Sequence, residues 1–264
     1  MLGWLEEITF RNGEIPHFND SSSCIAFSTE QLRSYANLIG LKKESTKVAL
    51  NESGYRKLSN CSFEIVVDVE GIEPSYQPGH AHSDHLSFVL YIHSKPFIID
   101  PGISTYNIGK RRQWERSSEA HNSVTIGNNN VSEVWGGFRV GRRPKVKIIK
   151  EGVDFVSAQE NYQIGRLKIE HTRSVELSDS KILISDKINS SLATSRLYLH
   201  PSISVLNDVG GISFSNGATI AFENAKAIEI EDYLYNQGYN SMLPANVIVV
   251  TFEKYFSSEI IIDK

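Results

Sequence analysis

The residues best equipped for chemistry lie between Gly79 and Arg143, and they are densest in Gln77-Pro78-Gly79-His80-Ala81-His82-Ser83-Asp84-His85. In an extended chain His80, His82 and Asp84 project from one face and His85 from the other, because strand side chains alternate. Three imidazoles within six residues suit a divalent cation, but a polar loop of hydrogen-bonded histidines has the same pattern. Two further groups favour the metal. Asp100 ends the apolar run Phe97-Ile98-Ile99, where a buried carboxylate needs a partner. His121 opens the expected strand Asn122-Ser123-Val124-Thr125-Ile126. Two imidazoles, a carboxylate and a water suit Zn²⁺ in an open four-coordinate site. Spacing does not establish that they converge. If Ser94-Lys95 is a two-residue turn, Asp100 lies opposite Val89 rather than His82, so the ligands must meet through bends or neighbouring strands.

A basic stretch surrounds this cluster. Lys110, Arg111, Arg112 and Arg116 precede His121, and Arg139, Arg142, Arg143, Lys145 and Lys147 follow it. Such a field attracts anionic groups, although a solvated face has the same composition. Trp135 can stack on a sugar ring or simply pack at a strand end. His200 before Pro201 and His17 in irregular chain read as structural, and His171 and Tyr233 carry no assignment.

The elements that must hold these residues are mainly β. Leu86-Ser87-Phe88-Val89-Leu90-Tyr91-Ile92 is an apolar strand, His93-Ser94-Lys95-Pro96 a turn, and Phe97 starts the next strand. Val146-Lys147-Ile148, Leu167-Lys168-Ile169-Glu170, Lys181-Ile182-Leu183-Ile184 and Val247-Ile248-Val249-Val250 alternate or form short apolar runs. Turns are expected at Asp208-Val209-Gly210-Gly211 and Asn216-Gly217. The pattern predicts a large antiparallel β-sandwich preceded by one or two short helices. Ser28 with Gln31 has capping-box spacing. Leu32, Tyr35, Leu38 and Ile39 recur at helical spacing, and Gly40 supplies the stop. Residues 2–9 can form a second short helix. Their apolar stripes must be covered, either by the sandwich or by a helical domain outside this sequence.

Composition narrows the function. The chain of 264 residues carries a formal charge of -4 and is 40% hydrophobic. That permits a large core and argues against general nucleic-acid binding, which needs Lys and Arg against phosphates. Cys24 and Cys61 can pair but do not form a disulfide framework or a zinc knuckle. No run approaches the ~18 apolar residues of a membrane span. Met1–Glu7 lacks the basic and apolar regions of a signal peptide. An extracytoplasmic protein would therefore need an export signal outside this sequence.

Gly79-His80-Ala81-His82-Ser83-Asp84, Ile99-Asp100-Pro101-Gly102, Tyr106-Asn107, Arg116-Ser117-Ser118-Glu119-Ala120-His121-Asn122-Ser123-Val124 and Trp135-Gly136-Gly137-Phe138-Arg139-Val140 occur in this order. Together they resemble the C-terminal β domain of the heparinase II/III and alginate-lyase-like polysaccharide lyases. Gly13-Glu14-Ile15-Pro16-His17-Phe18-Asn19-Asp20 is similar to the linker that joins the family's helical toroid to that domain. The resemblance covers nearly the whole chain, most specifically residues 76–145.

The resemblance implies that His82, Asp100 and His121 are the metal ligands, usually for zinc, and that the metal is structural. It places His80 toward the substrate cleft, Tyr106 at a cleft tyrosine position and Arg116 at a basic position before the ligand His121. Residues 1–50 then form the linker and terminal helices of a missing toroid, and residues 51–264 form the β-sandwich domain. The implied function is β-elimination on a uronate-containing acidic polysaccharide, in the periplasm or outside the cell. A base removes the proton α to the carboxylate and an acid protonates the leaving oxygen, while positive groups neutralise the developing charge. Tyr106 needs cationic neighbours to act as a base, with His80 and Arg116 expected nearby. Arg111, Arg112, Trp135 and Arg139 are the expected substrate contacts. Because the toroid would supply the carboxylate neutraliser and usually the main tyrosine, this chain alone is expected to be inactive. A non-catalytic carbohydrate-binding or assembly module of a surface-polysaccharide pathway is the alternative. A hydrolase using metal-bound water, with Asp84 as base, is a third reading.

Overall fold

A computed structural model describes residues 1–23, 25–41, 48–207 and 211–262. Cys24 and most of the expected Asp208–Gly211 turn lie outside these residues; Cys61 is exposed. Two short helices open the chain, α1 (Leu2–Ile8) and α2 (Thr29–Leu38). Both arms of the expected capping box form on α2. Gln31 N donates to Ser28 Oγ at 3.2 Å, and Ser28 N donates to Gln31 Oε1 at 2.8 Å. Gly40, at φ 77°, follows in the left-handed region that favours glycine.

Strands β1 (Tyr55–Ser59), β2 (Phe63–Asp68), β3 (Phe88–Ile92) and β4 (Lys95–Ile98) form an antiparallel sheet in chain order. The β3–β4 turn differs from the expected one. It consists of His93 and Ser94, at φ 49° and 60°, and pairs Ile92 with Lys95. Two left-handed residues are what a type I′ hairpin turn requires. An irregularity between Leu90 and Tyr91 then shifts the register, so Leu90 faces Ile98. Asp100 consequently lies beyond the ladder and is free of the pairing opposite Val89 that the other turn imposes.

After the short pieces α3 (Lys110–Glu115), β5 (Val124–Thr125), β6 (Val134–Trp135) and β7 (Arg139–Val140), the second sheet begins. Joined by β5, which pairs with β12, it contains β8 (Val146–Glu151), β9 (Phe155–Ile164), β10 (Leu167–Leu177), β11 (Lys181–Ile188), β12 (Ala193–Tyr198), β13 (Val205–Asn207), β14 (Ile212–Phe214), β15 (Ala218–Gly238) and β16 (Ser241–Ile262). Its main order is β13-β14-β15-β16-β11-β10-β9-β8. One end of β16, Val247–Phe252, pairs with β12, while Tyr255–Ile261 pairs with β11. The two stretches meet at Lys254, whose φ is 58°, and the facing strand has Asn224 at φ 60°. Left-handed residues bend a strand locally, which lets β16 pair with β11 along one stretch and with β12 along the other. A single bridge between Ile98 and Leu199 links the first sheet to the end of β12.

The alternating faces explain the layers. Phe63, Ile65, Val67, Phe88, Leu90 and Ile92 face the second sheet and share its main core with Val175, Ile184, Ile248 and Phe252. Val66, Val89 and Tyr91 point the other way, onto Ile8, Phe10, Phe18 and Leu50. The N-terminal segment therefore covers the outer face of β2 and β3, and both strands are buried throughout. Each such aromatic or aliphatic side chain contributes about 1.5–3 kcal/mol by burial. α2 behaves differently. The stripe Leu32, Tyr35, Leu38 and Ile39 is not packed on the sandwich; these residues are 37–83% exposed.

Candidate active site

The His cluster is not on a strand. Pro78–His80 makes one 3-10 turn, and Ala81 returns to extended backbone. This corrects the expected common face for His80, His82 and Asp84. The His80 side chain is 65% exposed, whereas that of His82 is fully buried. Asp84 is also buried and accepts a hydrogen bond from Asn19 N at 3.1 Å. It is held inside the fold rather than presented to a substrate, which disfavours a role as hydrolytic base. His85 turns away and pairs with Ser132 Oγ at 2.8 Å.

Fold topology brings the distant groups together. Asp100 follows β4, and His121 follows the 3-10 turn Ser118–Ala120. His121 Nδ1 contacts Asp100 Oδ2 at 2.6 Å, and the His82 and His121 rings lie 5.3 Å apart. Asn122 anchors this corner. Its amide nitrogen donates to the Phe88 and Ile99 carbonyls, and its oxygen accepts from Tyr198 N, all within 2.9 Å.

Sequence reasoning missed Asp20. It sits at the end of the linker-like stretch, and its side chain is only 3% exposed. Its carboxylate meets His80 Nδ1 at 2.8 Å, His82 Nε2 at 2.7 Å and Arg112 Nη2 at 2.7 Å, with Arg112 Nη1 also on Oδ1. Burial pushes its pKa up, but bonds from His82 and Arg112 outweigh that and hold it well below the usual carboxylate range. The available signal was a carboxylate in irregular chain, sixty residues from the histidines it serves, a separation at which no periodicity applies.

The arginines divide into two kinds. Arg112 and Arg116 are buried completely, so the basic stretch is not one surface field. Arg112 also donates to the Gly137 carbonyl at 3.0 Å. Arg116 donates to the Ala81 carbonyl at 2.9 Å and to Arg139 O at 3.3 Å, fixing the backbone between His80 and His82. Burial and the neighbouring Arg112 charge lower its pKa to about 10, so it stays charged at neutral pH. Arg111 pairs with Glu115 at 2.8 Å and bonds to the Asn236 side chain at 2.8 Å. Trp135 and Arg139 are exposed cross-strand partners in the β6–β7 hairpin.

Tyr106 stands beside His80, with ring centroids 5.9 Å apart, and Phe138 and Tyr239 complete the aromatic wall. The cation over its ring is Arg112 at 5.3 Å, not the expected Arg116. Burial and the Asp20 charge raise the phenol pKa further than Arg112 lowers it. Tyr106 therefore keeps its proton at neutral pH. His200 bonds Ser202 Oγ, and the buried Tyr233 hydroxyl donates to the Leu199 carbonyl.

Among the described residues, no three His, Cys, Asp or Glu side chains are arranged as a coordination set. Both Asp100 oxygens are engaged, Oδ2 by His121 and Oδ1 by Gly102 N at 2.9 Å. Yet His82 Nδ1 and His121 Nε2 are buried and have no hydrogen-bond partner among the described residues. An unsatisfied buried polar atom costs ~1–3 kcal/mol. Two imidazole nitrogens left over on neighbouring rings fit a divalent ion such as zinc. Burial keeps the His82 pKa low, as a ligand needs. Asp100 raises that of His121 against the effect of burial, so metal binding there would release a proton.

This architecture defines an antiparallel β-sandwich with an exposed histidine beside a tyrosine and, linked to it through Asp20, a buried, carboxylate-bound histidine pair. Residues 42–262 match the family model described as Heparinase II/III-like, C-terminal, and the chain belongs to that family. It is 26% identical over 160 residues to a heparin-sulfate lyase of Bacteroides thetaiotaomicron, covering 58% of this chain and 21% of that protein. Among solved structures it resembles a heparinase III, with TM-score 0.71, 16% identity and coverage of 96% of this chain and 44% of the other. A heparan sulfate lyase HepC mutant from Pedobacter heparinus gives 0.72, 18%, 97% and 45% respectively. These likenesses confirm the expected mainly β fold. The chain spans less than half the length of the relatives it matches. No helix among the described residues is long and apolar enough to cross a membrane.

Proposed function

We propose that this chain is the β-sandwich half of a polysaccharide lyase that cleaves a uronate-containing acidic polysaccharide by β-elimination. The observation that carries the reading is the exposed His80 beside Tyr106, joined through the Asp20 carboxylate to the buried His82, whose ring lies 5.3 Å from that of His121. His80 accepts the proton α to the uronate carboxylate. Tyr106, which holds its own proton, donates to the oxygen that leaves C4. One C–H and one C–O bond break, and a C4–C5 double bond forms.

Zinc held by His82 and His121, with Asp100 beside them, supplies structural bracing to the loops that carry the cleft residues. Arg112 and Arg116 position the cleft from below, and the exposed Trp135 and Arg139 offer stacking and charge at its rim. With both buried arginines committed, neutralisation of the substrate carboxylate falls to a helical half, as does the rest of the cleft wall. The exposed stripe of α2 is where such a half would pack. A polymeric acidic substrate is met in the periplasm or outside the cell, and the enzyme is proposed to act there. The test is to incubate this chain joined to its helical half with heparan sulfate and other uronate polymers. Absorbance of the unsaturated uronate should rise. A folded, complete protein producing no unsaturated ends from any uronate polymer contradicts the reading.

A further inference from the structure

We infer that Asp20 is a positioning residue that sets opposite tautomers on His80 and His82, thereby coupling the cleft to the metal face. The inference rests on the metal-braced lyase reading above. The Arg112 guanidinium donates to both Asp20 oxygens, so the carboxylate is the ionised partner of a fork-shaped ion pair and can only accept hydrogen bonds. Both rings must therefore donate to it. His80 donates through Nδ1–H to Oδ2, and His82 through Nε2–H to Oδ1. The lone pairs are then left on opposite nitrogens. His80 keeps Nε2 as its acceptor, on a ring that is largely exposed beside Tyr106. His82 keeps Nδ1, the buried atom without a partner.

One carboxylate thus leaves each ring with the nitrogen its own task requires. The tautomer of each imidazole is set by the bond its other nitrogen makes. Arg112 supports the arrangement in two ways. Its guanidinium binds both Asp20 oxygens, balancing the buried charge. Its Nη1 also lies 3.5 Å from His82 Nε2; both atoms carry protons, so they share Asp20 as acceptor rather than bonding each other. Asp20 N further donates to the His80 carbonyl at 3.2 Å, and Asn19 Oδ1 accepts from His82 N at 2.8 Å. Backbone and side chain of the linker both hold the histidine segment.

The experiment uses this 264-residue chain. Ring ¹⁵N shifts of His80 and His82 are recorded without metal, and zinc affinity is measured by chelator competition. The comparison is with Asp20→Asn and with the double variant Asp20→Asn/Arg112→Gln, which leaves no lone buried charge should the single variant fail to fold. The wild type should show Nδ1–H on His80 and Nε2–H on His82. In the folded variant both rings should become tautomer mixtures, and zinc affinity should fall about 10–100-fold. Either ring retaining its wild-type tautomer without Asp20 overturns the inference. So does a wild-type spectrum with the same nitrogen protonated on both rings. A wild-type chain that binds no zinc instead counts against the metal-braced reading, and the metal-free tautomers still decide the role of Asp20.

Discussion

Asp100 accepts the Nδ1 proton of His121 at 2.6 Å, which decides that Nε2 is the nitrogen left over. The carboxylate orients the imidazole as a ligand, whether or not it reaches the ion itself. Asp100→Ala should weaken zinc binding about 10–100-fold, as loss of an orienting partner does. Competition against a calibrated chelator reads this, and an unchanged affinity would show that the bond is only structural.

Zinc bound to the native state alone should also stabilise the fold by about 2.7 kcal/mol at a hundredfold excess over its dissociation constant. At roughly 2–4 °C per kcal/mol for a protein of this size, chelation should lower Tm by about 5–11 °C. A melting curve indifferent to chelation contradicts the bracing role.

Asn122 ties β3, the end of β4 and β12 with three buried hydrogen bonds. Asn122→Ala leaves those backbone groups without partners and should cost about 3 kcal/mol in urea denaturation. The neighbouring His121 should lose its fixed position as well. A loss below 0.5 kcal/mol, within the range of ordinary surface substitutions, would mean that water replaces the amide.

A second buried network lies inside the sandwich. His171 bridges Glu160 and Asp186 at 2.9 and 2.8 Å, Arg173 grips Asp186 at 2.8 and 2.9 Å, and His85 approaches Glu160 at 3.5 Å. Burial lowers the His171 pKa, but the two carboxylates raise it above its ordinary 6.5. That contribution is complete below about pH 6.5 and is lost as pH rises through the folded value. Asp186 runs the other way. Burial is overcome by Arg173 and His171, which hold it near 2, so its contribution fades as pH falls below about 3.8. The stability advantage of the wild type over His171→Gln should be about 3–5 kcal/mol between pH 4 and 6.5 and should shrink above that window. Paired denaturation curves across pH check this. A pH-independent difference would show that His171 titrates alike folded and unfolded, and an advantage that grows with pH would show that it is neutral in the fold.

In the joined two-half enzyme, His80→Ala and Tyr106→Phe should each lower kcat about 10²–10⁴-fold, the usual worth of a proton-transfer group. Arg139→Ala should act mainly on KM, because Arg139 is exposed at the rim. Steady-state rates of unsaturated uronate formation separate the two effects. A full kcat in Tyr106→Phe would remove the phenol from the chemistry.

The sandwich was readable because alternation records burial directly. The stretches Leu167–Glu170 and Lys181–Ile184 fall in strands that bury every second residue, although His171, Arg173 and Asp186 take buried places no hydropathy pattern marks. The α2 cap was equally plain, since Ser28 and Gln31 carry both halves of the motif. The site was legible only in its residue types. His82, Asp100 and His121 meet through a 3-10 turn, a shifted hairpin register and a strand that leaves its ladder, none of which has a period. The His93–Ser94 turn was misplaced by one residue because neither residue is a glycine or asparagine. Asp20 was invisible because its partners lie in another part of the chain. The basic run misled because sequence cannot show that Arg112 and Arg116 point inward.

Elemental analysis of the purified chain tests the account most directly. After equilibration with zinc and removal of excess, the wild type should retain one ion per chain, and His82→Ala and His121→Ala should each retain none while keeping the β spectrum. A folded wild type without a bound ion, or full occupancy in both variants, would contradict the claim that these two imidazoles brace the cleft around a cation.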